Sequence, residues 1–283
     1  MHPISHKNFR HVLIFALLWV SASLANESCF EDWVCVEPVG EGDQLEFFAT
    51  NLKPWPIAVS FRAEVTNLKG PKRSVTVEIN GSDRVKIASY RRQDAGKRYR
   101  YQYWYDYAVG RLTPKHADNY PYALPYAAGE SWRILQGFGS RFSHTGREGY
   151  AVDFGMPVGS QVMAARDGTV VQLREQHNRG CWDKECAKYA NFLVVLHDDG
   201  TTGEYYHLQQ NGVLVEIGQK VNRGQLIALS GNTGHSTTPH LHFAVYRADT
   251  WGRTQSLPFR FVDGGKKLGK PRGGQRHLKS GDS

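Results

Sequence analysis

The sequence predicts a mostly-β chain of two β-rich units, and three observations carry that expectation. Val, Thr, Tyr and Phe recur in short runs, while helix-forming stretches are sparse. Twenty-nine glycines punctuate the chain, and turn dipeptides such as Asn80-Gly81 and Asp167-Gly168 divide alternating segments. A length of 283 residues exceeds one typical domain, enough for a real hydrophobic core in at least one of two.

Residues 1–25 read as a signal peptide. Lys7 and Arg10 precede an apolar run from Val12 to Val20, and the small residues Ser23 and Ala25 follow. That run is too short to span a bilayer, no later segment reaches the necessary length of about 20 residues, and no stable membrane insertion is expected. Asn26-Glu27-Ser28 before Cys29 lack the small apolar pattern of a lipoprotein site, so no lipid anchor is expected. The four cysteines fall as two short-range pairs, Cys29 with Cys35 and Cys181 with Cys186, and after export local disulfides are the leading reading.

Residues 26–112 form the first unit. The segments Leu45 to Ala49, Ile57 to Val65, Ser74 to Ile79 and Tyr99 to Tyr105 alternate in the strand manner. Their spacing resembles a small β-sandwich of immunoglobulin or fibronectin type. The run Tyr99 to Tyr105 offers aromatic rings for stacking, but alternating Tyr and polar residues more simply make one strand. The Pro, Tyr and Ala-rich stretch 113–130 reads as a linker, residues 131–263 as the second β-rich unit, and 264–283 as a Gly-rich basic disordered tail.

The net charge of +8 resides mostly in the ends: Lys7 and Arg10 at one, and Lys266, Lys267, Lys270, Arg272, Arg276 and Lys279 against Asp282 at the other. The body between is close to neutral. No nucleic-acid partner is therefore expected; the basic end is a solvated segment and only secondarily a tether to an anionic envelope surface.

Chemistry concentrates in the second unit. In Pro239-His240-Leu241-His242-Phe243 the two imidazoles project to one side of a strand, where burying them is costly without a task. Asp153, His144 and His207 add candidates. A hydrolytic zinc takes three protein ligands and keeps one position open, and surplus imidazoles suit proton transfer and oxyanion stabilisation.

Five blocks in order carry a family resemblance: Asp153 to Val162, Ala164 to Val170, Tyr205 to Leu208, Gly218 to Ala228 and Gly231 to Phe243. Together they resemble the lysostaphin-like, or LytM-type, zinc metallopeptidases over about Ile134 to Tyr246. The resemblance implies an antiparallel β-sheet groove metallopeptidase domain with one Zn2+ per chain, held by His144, Asp153 and His242. It implies His207 and His240 as the catalytic pair that orients and deprotonates the attacking water and stabilises the tetrahedral intermediate. It further implies bacterial peptidoglycan as substrate, cleaved in cross-links or stems, in the periplasm or outside the cell. No protein regulator is legible.

The chain departs from the family pattern twice. Much of the family has its first ligand His four residues before the Asp, where Gly149 stands here; His144 lies nine before, and a longer loop returns it at little entropic cost. Ala244 stands where many members carry Glu. His177, His197 and His235 read as structural histidines, Tyr205 as packing that shares a strand face with His207, and Asp167 as a turn residue. Rival readings are a non-catalytic module that binds peptidoglycan or activates a cell-wall amidase, and a secreted protease aimed at Gly-rich proteins or a competitor's wall.

Overall fold

The computed structural model describes residues 28–280; the expected signal peptide and the last three residues of the basic segment lie outside them. Among the described residues, one unit runs to Leu112 and takes in Ala248–Arg253. The second holds Thr113–Arg247 and the chain from Thr254 onward. No helix of the described residues is long and apolar enough to cross a membrane.

The first unit is a β-sandwich. One sheet orders Ser28–Phe30, Val34–Glu41, Gln44–Asn51, Arg84–Arg92 and Leu68–Lys69; the other sets Ile57–Thr66 between Val75–Ile79 and Arg100–Val109. Alternation along Gln44–Asn51 buries Leu45, Phe47, Ala49 and Asn51. Phe47 then meets Phe61, Tyr101 and Tyr103 of the facing sheet, with ring centroids 4.8, 5.5 and 5.2 Å away. The tyrosine-rich run is thus a strand whose rings pack between the sheets. Cys29 and Cys35 are joined as a disulfide, directly opposite one another on paired strands.

The second unit is built on an antiparallel sheet ordered Lys220–Val221, Gly168–Arg174, Phe192–Leu196, Thr202–Tyr206, Leu241–Ala248, Val152–Gly155, Ser131–Gln136 and Arg276–Leu278. One face carries Phe154, Tyr205, Leu241 and Phe243 into a core shared with Tyr122, Tyr126, Phe259 and Phe261. Burying each such side chain contributes about 1.5–3 kcal/mol. Because successive residues alternate, the same strands turn Asp153, Glu204, Tyr206, His242 and Tyr246 to the opposite face.

Two sequence expectations are corrected. Residues 113–130 are not a linker: Tyr122, Leu124 and Tyr126 are fully buried in the second unit's core, and Pro121–Tyr122 pairs with Arg260–Asp263. Their period-2 apolar pattern is a strand signal that the surrounding Pro and Ala masked. Nor is 264–280 disordered, since Arg276–Leu278 extends the main sheet by pairing with Ser131–Gln136. Lys279, itself buried, donates to the Tyr126 carbonyl at 2.8 Å, and the Tyr126 hydroxyl donates to the His277 carbonyl at 2.7 Å. The basic side chains here decorate an edge strand, and their charge concealed its pairing.

Truncation after Gly265 is expected to lower the melting temperature of the second unit, by roughly 2–4 °C for each kcal/mol lost in a domain of this size. Calorimetry of the truncated and full-length chains checks this; an unchanged melt would detach the segment from the fold.

Candidate metal centre

Asp153 occupies the middle of the sheet, directly opposite His242 on the neighbouring strand. Its Oδ1 lies 2.8 Å from His242 Nδ1 and 3.2 Å from His144 Nε2, and Gln136 Nε2 donates to its Oδ2 at 2.7 Å. His144 arrives on the loop before Val152–Gly155. The three buried ligand atoms lie within 4.8 Å of one another.

The tautomers follow from the outer partners. His144 Nδ1 is 3.2 Å from the Gly137 carbonyl, which can only accept, so Nε2 carries the lone pair. The Tyr246 hydroxyl gives its proton to Glu148, so His242 Nε2, 3.1 Å away, donates to Tyr246 and leaves its lone pair on Nδ1. Two lone pairs and a carboxylate oxygen thus face one another in a buried space, an arrangement that suits a cation between them. His144 Nε2 has no hydrogen-bond partner among the described residues, which fits a cation ligand. Burial alone would raise the Asp153 pKa, yet the imidazoles of His144 and His242 beside it hold it well below the usual carboxylate range.

Two more imidazoles stand beside this group. His207 follows the strand Thr202–Tyr206 and adopts a left-handed backbone, φ 65°. Its ring centroid comes 4.5 Å from that of His240 and 6.2 Å from that of His242. The Thr233 carbonyl accepts from His207 Nδ1 at 2.6 Å and the Thr238 carbonyl from His240 Nδ1 at 2.7 Å, so each keeps Nε2 as a proton acceptor. Burial, then the neighbouring His240 and His242, lower the His207 pKa well below its ordinary value. Gly231 makes the approach possible: a Cβ there would fall 2.5 Å from Gln209 N, and Gly231 bridges to His240.

A cleft of about 1000 Å³ opens over the group, lined among others by Asp153, His240, Thr238, His235, Phe142 and Trp182. Phe142 and Trp182 are 70% and 65% exposed, with ring centroids 5.7 Å apart. Trp182 sits inside the loop closed by the Cys181–Cys186 disulfide.

All five site candidates, His144, Asp153, His207, His240 and His242, therefore converge. Tyr205 is corrected: it does not share a face with His207, because the left-handed residue breaks the alternation. Tyr205 packs on Phe243 in the core, while Tyr206 faces His242. His197 is buried, its Nδ1 2.8 Å from the Asp167 carbonyl; His235 lines the cleft. Sequence reasoning missed Tyr246 and Glu148. Tyr246 had a usable signal, since it shares the His242 strand face at i+4; Glu148, on a loop, had none.

Residues 147–254 match peptidase family M23. Over that stretch the chain is similar to peptidase family M23 domains. Over 141 residues it is 36% identical to the peptidoglycan DD-endopeptidase ShyA of Vibrio cholerae, covering 48% of this chain and 30% of that protein. Lysostaphin of Staphylococcus simulans is 36% identical over 95 residues, 33% of this chain and 17% of that one. The chain thus spans less than a third of the length of either relative. Among solved structures, the catalytic domain of lysostaphin from Staphylococcus simulans aligns with 45% of this chain and 87% of its own, at 26% identity and a TM-score of 0.32.

Burial, with the charge of Arg166, lowers the His197 pKa to about 4. The unfolded imidazole titrates near 6.5, so the unfolded chain binds the extra proton first. This contribution to stability is constant above that pH and is lost as pH falls from 6.5 towards 4. Denaturant unfolding at pH 7 and pH 5 is expected to show about 2 kcal/mol less acid destabilisation in His197→Gln than in the wild type. An identical pH dependence in the variant would contradict it.

Proposed function

We propose that the protein is an exported zinc endopeptidase that hydrolyses peptide bonds in bacterial peptidoglycan, in its cross-links or stem peptides. The observation that carries this is the convergence of His144, Asp153 and His242 on one buried point, at a cleft that Asp153 and His240 line, beside two further imidazoles with free acceptor nitrogens. The match to peptidase family M23 supports a metallopeptidase, and the relatives named as peptidoglycan DD-endopeptidases support the substrate. Two imidazole nitrogens and a carboxylate oxygen are the borderline donors that suit Zn2+. The N-terminal sequence and the two disulfides support export to the periplasm or beyond.

His144 Nε2, Asp153 Oδ1 and His242 Nδ1 would hold the ion. When bound, zinc supplies a Lewis acid that polarises a carbonyl and lowers the pKa of water towards neutrality. His207 is neutral at physiological pH and its Nε2 is available to accept a proton from the attacking water. His240, pinned by Thr238, presents Nε2 from the opposite ring and, once protonated, stabilises negative charge on the tetrahedral oxygen. The two outer N–H bonds to backbone carbonyls fix both rings before substrate arrives, so little reorganisation remains during the reaction.

Purified sacculi, zinc analysis and two variants test the proposal. His242→Ala is expected to lose both zinc and turnover, and His207→Ala to keep zinc while turnover falls about 10²–10⁴-fold. A zinc-loaded wild type that releases no peptide from sacculi would favour a binding module instead.

A further inference from the structure

The polar face of the sheet holds a buried chain of hydrogen bonds that the proposed reaction does not use. His242 Nε2 lies 3.1 Å from the Tyr246 hydroxyl, and that hydroxyl donates to the Glu148 carboxylate. Exposure falls to 1% at His242, 2% at Tyr246 and 5% at Glu148. A buried carboxylate and a buried phenol hydroxyl are costly unless each satisfies the other, and here the hydroxyl links the carboxylate to the outer nitrogen of a histidine.

The chain is built for this contact from two directions. Tyr246 lies four residues beyond His242 on one strand, so alternation sets both on the same face. Between them Ala244 is fully buried, and with Ala151 it packs against the Tyr246 ring; two methyl groups leave the slot that the ring fills. Glu148 ends the 3-10 turn Gly146–Glu148. The Glu148 amide donates to the Thr145 carbonyl at 3.1 Å, and the Ala151 amide returns to the Glu148 carbonyl at 2.9 Å. One ten-residue stretch therefore delivers His144, Glu148 and Asp153 to the same group.

We propose that Tyr246 and Glu148 are positioning residues for zinc: they fix His242 as the Nε2–H tautomer and hold its ring so that Nδ1 faces Asp153. The inference rests on the zinc reading above and deepens it. Without the relay the His242 ring is free to rotate or to carry its proton on Nδ1, and either change removes a lone pair from the centre. The loop between His144 and Asp153 is then a working part of the site, since its length sets the Glu148 carboxylate where Tyr246 can reach it. Outer partners of this kind commonly change metal affinity 10–100-fold.

The test uses the full chain, with zinc affinity measured by competition against a chromophoric chelator and site geometry followed by the visible spectrum of the cobalt-loaded protein. Tyr246→Phe keeps the ring in its slot and removes only the hydroxyl. Its zinc affinity is expected to fall 10–100-fold with an altered cobalt spectrum. Glu148→Gln retains an acceptor and is expected to stay within a few-fold of wild type, whereas Glu148→Ala follows Tyr246→Phe. Circular dichroism on each metal-free variant confirms the fold. Equal zinc affinity and an unchanged cobalt spectrum in Tyr246→Phe overturn the relay and leave the zinc reading standing. A wild-type chain that takes up no zinc overturns that reading, and the relay falls with it.

Discussion

The cross-strand register that places Asp153 opposite His242 is the constraint on which the rest of the second unit depends. A slip of one residue in either strand would turn its Asp153 or His242 into the apolar core and bring Phe154 or Leu241 to the polar face. What prevents the slip is the core itself: Phe154, Leu241, Phe243 and Tyr205 are fully buried on the other side of the same three strands. Hydrophobic burial thus fixes the geometry of the polar group on the opposite face.

Backbone conformation then departs from regularity where the site needs it. His207 takes a left-handed conformation that costs a non-glycine residue about 1–2 kcal/mol. Its partners over-determine that choice: the Thr233 carbonyl fixes one ring nitrogen, and the Gly231 loop closes on the backbone just beyond it. The result directs an imidazole towards His240 and His242, when a continuing strand would have sent it beside Tyr205 into the core.

Much of this was legible in the sequence because strand alternation is a strong signal. The His240 and His242 spacing marked one face of a strand, and the resemblance of the five ordered blocks to LytM-type peptidases implied the five side chains that meet in space. His144 was harder, as a nine-residue interval has no fixed geometry until a turn such as Gly146–Glu148 shortens it. Composition misled at two places, where Pro and Ala around Tyr122, Leu124 and Tyr126, and lysines around Arg276–Leu278, hid short strands. Tyr205 was assigned to the wrong face because a single left-handed residue leaves no mark in the pattern. Outer hydrogen-bond partners are the least legible class: Glu148 acts through Tyr246 from a loop, and nothing in spacing connects them.

X-ray absorption at the zinc edge of the purified, zinc-loaded protein tests the central claim most directly. The account predicts a four-coordinate site of two imidazole nitrogens and two oxygens, near 2.0–2.2 Å, with no sulfur scatterer. A shell with one imidazole, or a zinc–sulfur distance near 2.3 Å, would contradict it.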